Sequence, residues 1–295
     1  MTFFYTKPYQ FLLTLFLISL TSGSYAQKAP YFKEGESPVS SEKKWKLVKS
    51  MSDEFSGSKV NQKKWQISGQ GWIGRAPGLF LPSNVTVAHG NLQITATKLP
   101  KDVKKEGKVF THGGGYAGSR KGMTYGYYEC RMKGNKTFMS STFWLINERE
   151  EAIDCDRRVT ELDVQECVGQ INTDKDFAQD ADQRMGFNTH SRGIQDGCDI
   201  PAGTIGGKTP TAGKTYEDFH VYGVWWKSEK EVLFFLDGEF VEKVTPKADF
   251  NLPMHLRMVV ETYNWNPVPE DGGMTGSFED RTTLYDWVRT WKLVD

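Results

Sequence analysis

The sequence is short of cysteine, of net charge and of long apolar runs. Its 295 residues contain four cysteines, and 37 basic side chains balance 37 acidic ones. A neutral chain lacks the electrostatic footprint that nucleic-acid binding requires, and four cysteines do not make a disulfide scaffold. No CxxC or HExxH spacing occurs, so a zinc site has no support. The 39 aromatic side chains (Trp 9, Tyr 12, Phe 18) instead predict a folded protein that presents rings.

The longest apolar run, residues 11–20, has about half of the roughly 20 residues that a membrane-spanning helix needs. Lys7 precedes this run and Ser24-Tyr25-Ala26 follows it, which is typical of a secretory signal peptide cleaved after Ala26. We therefore expect a signal peptide over residues 1–26, a linker over 27–44 and one folded domain over 45–295. The mature protein is predicted to be secreted, extracellular or periplasmic, with no membrane partner.

From residue 45 onward almost no segment has the 3.6-residue period of a helix. Short alternating runs separated by Gly, Asn, Asp or Pro predict strands at residues 85–87, 92–96, 125–132, 141–145, 219–226, 232–236, 256–261 and 283–293. Such a series predicts an all-β fold, a sandwich of two antiparallel sheets. Residues 171–214 are the least regular stretch, and we expect them to form a long loop that serves as a functional wall or lid.

The four cysteines fall into two groups by their surroundings. Cys155 and Cys198 lie in polar, loop-like segments and could form a disulfide if the protein is exported. Cys130 and Cys167 lie in strand-like runs, which favours buried thiols.

Three carboxylates occur within six residues of the segment TELDVQE, residues 160–166. Because strand side chains alternate, Glu161 and Asp163 share one face. Glu166 has the opposite parity, and a β-bulge between Asp163 and Glu166 would return it to that face. Crowded carboxylates cannot all be ionised cheaply, so one should hold a proton while another stays charged, as glycoside hydrolysis requires. A solvated acidic strand edge or a calcium-binding patch is the alternative.

The pattern Glu-x-Asp-x-x-Glu resembles that of glycoside hydrolase family 16. Its flanks, residues 127–133, 139–145 and 160–169, resemble the β-agarase and β-porphyranase branch of that family, and the resemblance covers residues 46–295. It implies a β-jelly-roll with a concave cleft and an endo-acting, retaining hydrolase of red-algal galactan. By the same resemblance Glu161 is the nucleophile, Glu166 is the general acid/base, and Asp163 hydrogen-bonds between them.

Aromatic side chains are candidates for sugar binding because sugar rings stack on flat groups. Trp72 and Arg75 lie on a glycine-rich, loop-like segment, and the resemblance places both in the negative subsites. Trp144 follows Phe143 in a predicted strand and is expected at the cleft floor. The adjacent Trp225 and Trp226 must point to opposite faces of their strand, and the sequence leaves open which of them faces the core.

The resemblance assigns four more substrate contacts. His190 and Arg192 match a sugar-binding position, Glu261 would accept hydrogen bonds from sugar hydroxyls, and Trp265 would stack on a ring. The other four histidines are expected to be structural, namely His89, His112, His220 and His255.

No cofactor is expected for catalysis, but relatives in the family carry a structural calcium far from the active site. Glu54, the backbone carbonyl of Gly90 and Asp286 match the usual positions, and hard oxygen ligands suit this ion.

The expected substrate is an agar-type galactan cut at β-1,4 bonds, and the expected protein is a monomer. We favour agarose, a β-agarase activity, with the sulfated galactan porphyran and a β-porphyranase activity as the alternative. A basic residue in a small pocket would favour porphyran, and Arg75, Arg157 and Arg158 are candidates, although arginine also binds neutral sugars. A non-catalytic lectin and a calcium-dependent adhesin are the rivals from other classes.

Overall fold

The computed structural model describes residues 27–40, 42–69, 71–149 and 152–295, so the predicted signal peptide lies outside the described residues. Within these ranges the chain forms seventeen strands and four short 3-10 helices. The 3-10 helices are Lys49–Met51, Pro82–Asn84, Asp154–Arg157 and Asp176–Ala178. None of the helices in the described ranges has the length and apolar character needed to cross a membrane.

The first nine strands are β1 Lys44–Leu47, β2 Trp65–Gln66, β3 Gly78–Phe80, β4 Val85–Ala88, β5 Asn91–Thr95, β6 Thr97–Lys105, β7 Lys108–Met123, β8 Gly126–Lys133 and β9 Ser140–Asn147. The other eight are β10 Val159–Val168, β11 Arg184–Arg192, β12 Gly203–Pro210, β13 His220–Ser228, β14 Glu231–Leu236, β15 Glu239–Val244, β16 Met254–Val260 and β17 Thr282–Val294. All eight strands predicted from the alternating pattern are present.

The strands form two sheets. The first sheet has the order β15-β14-β13-β8-β17-β5-β4, with β1 beside β17. The second sheet has the order β12-β11-β10-β9-β16-β7-β2, with β3 and β6 beside β7. The pairs are antiparallel except for β3, which runs parallel to β7. The fold is therefore the expected all-β jelly-roll sandwich.

The hydrophobic core lies between the two sheets and draws on alternate residues of each strand. On β5, Leu92 and Ile94 are fully buried, and on β9 Phe143 and Leu145 join the same cluster. Because the side-chain period of a strand is two, residues between these point away from the core. On β9 the residue between them is Trp144, which belongs to a separate cluster on the outer face of the second sheet.

The prediction that residues 171–214 form one long loop is wrong, because they contain β11 and β12. These strands were missed because β11 carries a polar face that includes Asn188, His190 and Arg192, and β12 contains adjacent glycines. Such residues have low β-propensity, and the pairing of β11 with β10 and β12 overrides it.

The cysteines behave as the sequence predicts. Cys155 and Cys198 form a disulfide, which links the segment before β10 to the connection between β11 and β12. Cys130 and Cys167 are buried free thiols.

The segment predicted as a linker packs on the outer face of the first sheet. Phe32 makes edge-to-face contacts with Tyr127 and Phe235, and Trp45 packs against Trp225 in the same cluster. The neighbouring Trp226 points the other way and is fully buried in the core between the sheets, which answers the question that the sequence left open. All of these contacts lie on the sheet that does not carry the acidic motif.

Candidate active site

The acidic motif lies on β10, in the middle of the second sheet. Asp163 pairs with Trp144 on β9, but Gln165 then pairs with Phe143, so Val164 is an extra residue in the ladder. Glu166 consequently lies opposite Thr142, on the same face as Asp163. Leu162 and Val164 are buried in the core on the other side. The predicted β-bulge is confirmed, and it brings all three carboxylates to the outer face of the second sheet.

The bulge is held by the side chain of Gln165, which is fully buried. Regular pairing of β10 with β11 ends at Asp163 and Asn188. Beyond that point the Gln165 amide donates to the carbonyl of Arg184 at 3.0 Å and accepts from the N–H of Gly186 at 2.9 Å. These two hydrogen bonds take the place of the β10–β11 pairing, which ends beside the bulge.

The first carboxylate, Glu161, is held by an arginine of the neighbouring strand. Arg192 donates from Nη1 to Oε1 at 3.0 Å and from Nη2 to Oε2 at 2.6 Å, a two-pronged contact that fixes the plane of the carboxylate. His190 Nε2 lies 2.9 Å from Asp163 Oδ2, and His190 Nδ1 lies 2.7 Å from Thr204 Oγ1. Residues predicted as sugar contacts therefore also orient the acids.

Glu166 is held by a different pair of side chains. The hydroxyl of Tyr263 donates to Oε1 at 2.5 Å, and Asn188 Nδ2 donates to Oε2 at 3.4 Å. Tyr263 follows β16 and stacks on Trp265 with ring centroids 5.0 Å apart. Both contacts aim the Glu166 carboxyl along the cleft.

The three acids line a cleft of about 700 Å³. We name it the glycone pocket, because the resemblance in the sequence assigns the negative subsites to Trp72 and Arg75, which line it. Trp72, Arg75, Trp144, Arg192 and Glu261 line the same cavity, which brings together most of the predicted substrate contacts.

Aromatic contacts and an ion pair fix the walls of the glycone pocket. Trp72 packs edge to face on Trp144, with ring centroids 6.0 Å apart. Arg75 Nε donates to the buried carboxylate of Glu261 at 2.9 Å. The loop that carries Trp72 and Arg75 is tied to the end of β16, since Gly78 N donates to Thr262 Oγ1 at 3.1 Å.

A second pocket of about 440 Å³ continues from the first at Glu166. We name it the aglycone pocket, because it lies on the other side of the expected acid/base. Glu166 lines both pockets, whereas Glu161 and Asp163 line only the first. Trp265 and the exposed Phe177 form an aromatic wall in the aglycone pocket. The structure therefore places Trp265 on the opposite side of Glu166 from the other predicted substrate residues.

Burial perturbs the proton affinities of the acids. It raises the pKa of Asp163 well above the usual range, and the charges of Glu166 and Glu161 add to that rise. Burial also raises the pKa of Glu166, while the hydrogen bond from Tyr263 opposes the rise. Glu261 has its pKa raised by burial to about 7 despite its Arg75 partner. Burial lowers the pKa of His190, which favours the neutral imidazole. Such unlike affinities in one cleft are typical of acid–base catalysis.

The residues predicted to bind calcium lie at the first sheet, away from the cleft. Arg289 donates to both oxygens of Glu54 at 2.8 Å, and Arg131 donates to Asp286 at 2.6 Å. Gly90 lies in the turn between β4 and β5, with a φ of +75°. The two carboxylates do not fit a calcium ion as they stand, because each already holds a guanidinium, and calcium there stays a prediction. Within the described ranges, the one cluster of three potential metal ligands is Glu161, Asp163 and His190, which belongs to the acidic site itself.

Comparison with known proteins places this site in a family. Residues 45–293 match the family model described as Beta-porphyranase A-D, GH16 domain. The chain belongs to glycoside hydrolase family 16. It is 63% identical over 286 residues to Beta-porphyranase B of Zobellia galactanivorans, with 97% of each chain covered. The crystal structure of porphyranase B from that organism superposes with a TM-score of 0.90, at 64% identity over 91% of this chain and 100% of the other. The extracellular agarase of Streptomyces coelicolor is 28% identical, with 85% and 84% covered.

Three features of this family 16 hydrolase escaped the sequence analysis. Nothing in the sequence singles out Tyr263 or Gln165, because their roles depend on contacts between elements that are distant in the chain. Arg257 of β16 also lines the glycone pocket. The sequence did contain a signal for it, since a charged residue within the apolar run of residues 256–260, LRMVV, is unusual.

Proposed function

We propose that this protein is a secreted, endo-acting, retaining β-porphyranase that cuts β-1,4 bonds in a sulfated red-algal galactan. The observation that carries the proposal is the match of residues 45–293 to a porphyranase family model, together with a bulged strand that brings three acids into the cleft. The 63% identical relative bears the name of a β-porphyranase. Secretion rests on the signal peptide expected at residues 1–26.

In the first step Glu161 attacks the anomeric carbon of the sugar on the glycone side. The bond from that carbon to the bridging oxygen breaks, and Glu166 gives its proton to the departing oxygen. In the second step Glu166 takes a proton from water, the water oxygen bonds to the anomeric carbon, and Glu161 leaves. The raised pKa of Glu166 suits the acid role, since the carboxyl stays protonated to higher pH. The raised pKa of Asp163 keeps it protonated, so it can donate a hydrogen bond to a neighbouring acid.

The direction of the substrate follows from the positions of the two acids. A general acid must reach the bridging oxygen, and Glu166 lies at the junction of the two pockets. Glu161 lines only the glycone pocket, where Trp72 and Trp144 supply stacking surfaces. The leaving part of the chain would then lie in the aglycone pocket against Trp265. A cleft open on both sides of the cleaved bond favours endo-action.

The preference for agarose in the sequence analysis is less well supported than its alternative. The relative at 63% identity is named a porphyranase, whereas the agarase shares 28%. Arg75, considered there as a sulfate ligand, holds Glu261. Arg158 is buried and donates to Asp156 and Asn251, so it is also engaged elsewhere.

The proposal is tested by incubating the protein with porphyran and with agarose and measuring reducing ends. We expect release from porphyran at a rate at least about tenfold above that from agarose. Equal or faster cleavage of agarose would restore the agarase assignment, and release from neither polymer would refute the galactanase proposal.

The stereochemistry is read separately by proton NMR of the first product. A β-anomer that precedes mutarotation supports retention. An initial α-anomer would require a water between the acids instead, and would exclude Glu161 as nucleophile.

A further inference from the structure

Arg257 lies on the face of β16 that lines the glycone pocket. It pairs with Trp144 on β9, which in turn pairs with Asp163 on β10. Two strand spacings separate it from the catalytic strand, which corresponds to about 10 Å. Gly118 on β7 lies opposite Arg257, and a Cβ at Gly118 would come 2.6 Å from Arg257 Nη1. The absence of a side chain at Gly118 leaves the space that the guanidinium occupies.

This guanidinium is buried and has no anion. The residue is 6% exposed, and its Nη1 atom is buried without a hydrogen-bond partner. No carboxylate among the described residues lies within ion-pair distance of it. Its guanidinium lies over the ring of Tyr116 at 5.1 Å. Burial lowers the pKa of Arg257, which reflects the cost of the uncompensated charge.

The other two arginines considered for the glycone side are engaged. Arg75 holds Glu261 and Arg192 holds Glu161. The charge of Glu148 acts on the pKa of Arg257, but Glu148 is exposed and forms no ion pair with it. Its Oε1 atom lies 3.4 Å from His255 Nε2 instead. Arg149 also lines the pocket, but it is exposed to solvent. Arg257 is therefore the buried arginine of the pocket whose charge is left for a ligand.

A buried cation without a partner costs several kcal/mol and is rarely kept by a protein for stability alone. A ligand anion would recover that cost, and the planar guanidinium can donate two parallel hydrogen bonds to two oxygens of a tetrahedral sulfate or phosphate group. Trp144 lines the same pocket, and its ring would stack on the sugar that carries the anion.

We propose that Arg257 is the residue that binds the sulfate ester of the galactan, on the glycone side of the cleaved bond. This inference rests on the proposed function and assigns the recognition of sulfate to a side chain outside the acidic motif. It makes Arg257 a specificity-determining residue, because agarose presents no sulfate to this guanidinium. Removing the charge should therefore weaken the binding of porphyran more than that of a neutral galactan.

The test compares Arg257→Gln with wild type on porphyran. We expect kcat/KM to fall by about 10- to 100-fold, mainly through KM, because a charge-assisted contact made throughout binding is lost. Any rate on agarose should fall by a clearly smaller factor than the rate on porphyran, and an equal fall on both polymers would contradict the inference. Arg120→Gln removes an exposed arginine of β7 that does not line the cleft, and is the matched control. Inorganic sulfate should inhibit wild type competitively, and Arg257→Gln should lose that inhibition relative to sodium chloride at equal ionic strength.

Thermal unfolding separates recognition from folding. Since the charge is buried and unpaired, the midpoint of Arg257→Gln should equal or exceed that of wild type, whereas a structural arginine would lower it. Arg257→Lys keeps a cation and should recover part of the porphyran activity.

The inference is overturned if Arg257→Gln stays within twofold of wild type on porphyran, or if it loses activity together with several degrees of stability and Arg257→Lys does not rescue it. A wild-type protein that cuts no porphyran would instead refute the proposed function.

Discussion

The hydroxyl of Tyr263 donates a hydrogen bond of 2.5 Å to Oε1 of Glu166. The two residues are 97 positions apart in the chain, and the contact joins the segment after β16 to the bulged strand β10. Glu166 lines both pockets, so Tyr263 fixes the carboxyl at the junction where a glycosidic oxygen would lie. It acts through Glu166 and is therefore a positioning residue.

Replacing Tyr263 with Phe should move the pH dependence of the reaction. The tyrosine hydrogen bond lowers the pKa of Glu166, so its loss raises that pKa further. A general acid is active while protonated, and the alkaline limb of the kcat/KM profile should move to higher pH by roughly half to one unit. Tyr216→Phe, at a half-buried tyrosine that lines neither pocket, should leave the limb in place. A limb that stays fixed or moves down in Tyr263→Phe would show that Tyr263 does not tune this acid.

Gln165→Ala tests how the bulge is held. The change leaves the Gly186 N–H and the Arg184 carbonyl without their side-chain partner. We expect the free energy of unfolding to fall by about 1–3 kcal/mol, and kcat to fall as Glu166 loses its fixed position. Chemical denaturation and initial rates provide the two measurements. Gln183→Ala, at an exposed position of the same region, should change neither. Unaltered stability and rate in Gln165→Ala would mean that the bulge needs no such support.

Glu129 predicts a pH dependence of stability that has no connection with the cleft. Burial raises its pKa to about 7, while Tyr31 N and Trp291 Nε1 donate hydrogen bonds to its two oxygens. A raised pKa in the folded state means that folding takes up a proton between the ordinary pKa, near 4.5, and 7. The stabilisation of the folded state that comes from this proton uptake is fully present at low pH and is lost as the pH rises through 7.

The free energy of unfolding of wild type should therefore decline by about 2–3 kcal/mol between pH 4.5 and 7.5 relative to Glu129→Gln. Denaturation curves at several pH values for both proteins measure that difference. Glu36→Gln, which removes an exposed carboxylate of the same N-terminal segment, should follow wild type. Parallel curves for wild type and Glu129→Gln would show that the buried carboxyl titrates normally.

The sequence predicts those features that depend only on residues close together in the chain. Alternation of apolar residues identified β5 and β9, and the parity of Glu161, Asp163 and Glu166 required a bulge that the pairing confirms. The disulfide between Cys155 and Cys198 was also within reach, because both cysteines lie in polar segments.

Strands β11 and β12 were not predicted, because their polar and glycine-rich segments become strands only when β11 pairs with β10 and β12 pairs with β11. The side chains that hold the acids in place could not be predicted either. Tyr263, Arg192 and Gln165 act through contacts that depend on which strands are neighbours, and periodicity within one strand does not report that order. On our proposal, the choice between agarose and porphyran depends on the surroundings of single arginines, which the sequence alone does not give.

The most direct test of the account is the rate at which Glu161→Gln releases reducing ends from porphyran. The substitution removes the proposed nucleophile but keeps the size of the side chain and an oxygen for Arg192, so the fold should stay intact by circular dichroism and thermal unfolding. We expect the rate to fall by at least about a thousandfold. A folded Glu161→Gln protein that cuts at a rate near that of wild type would contradict the proposed mechanism.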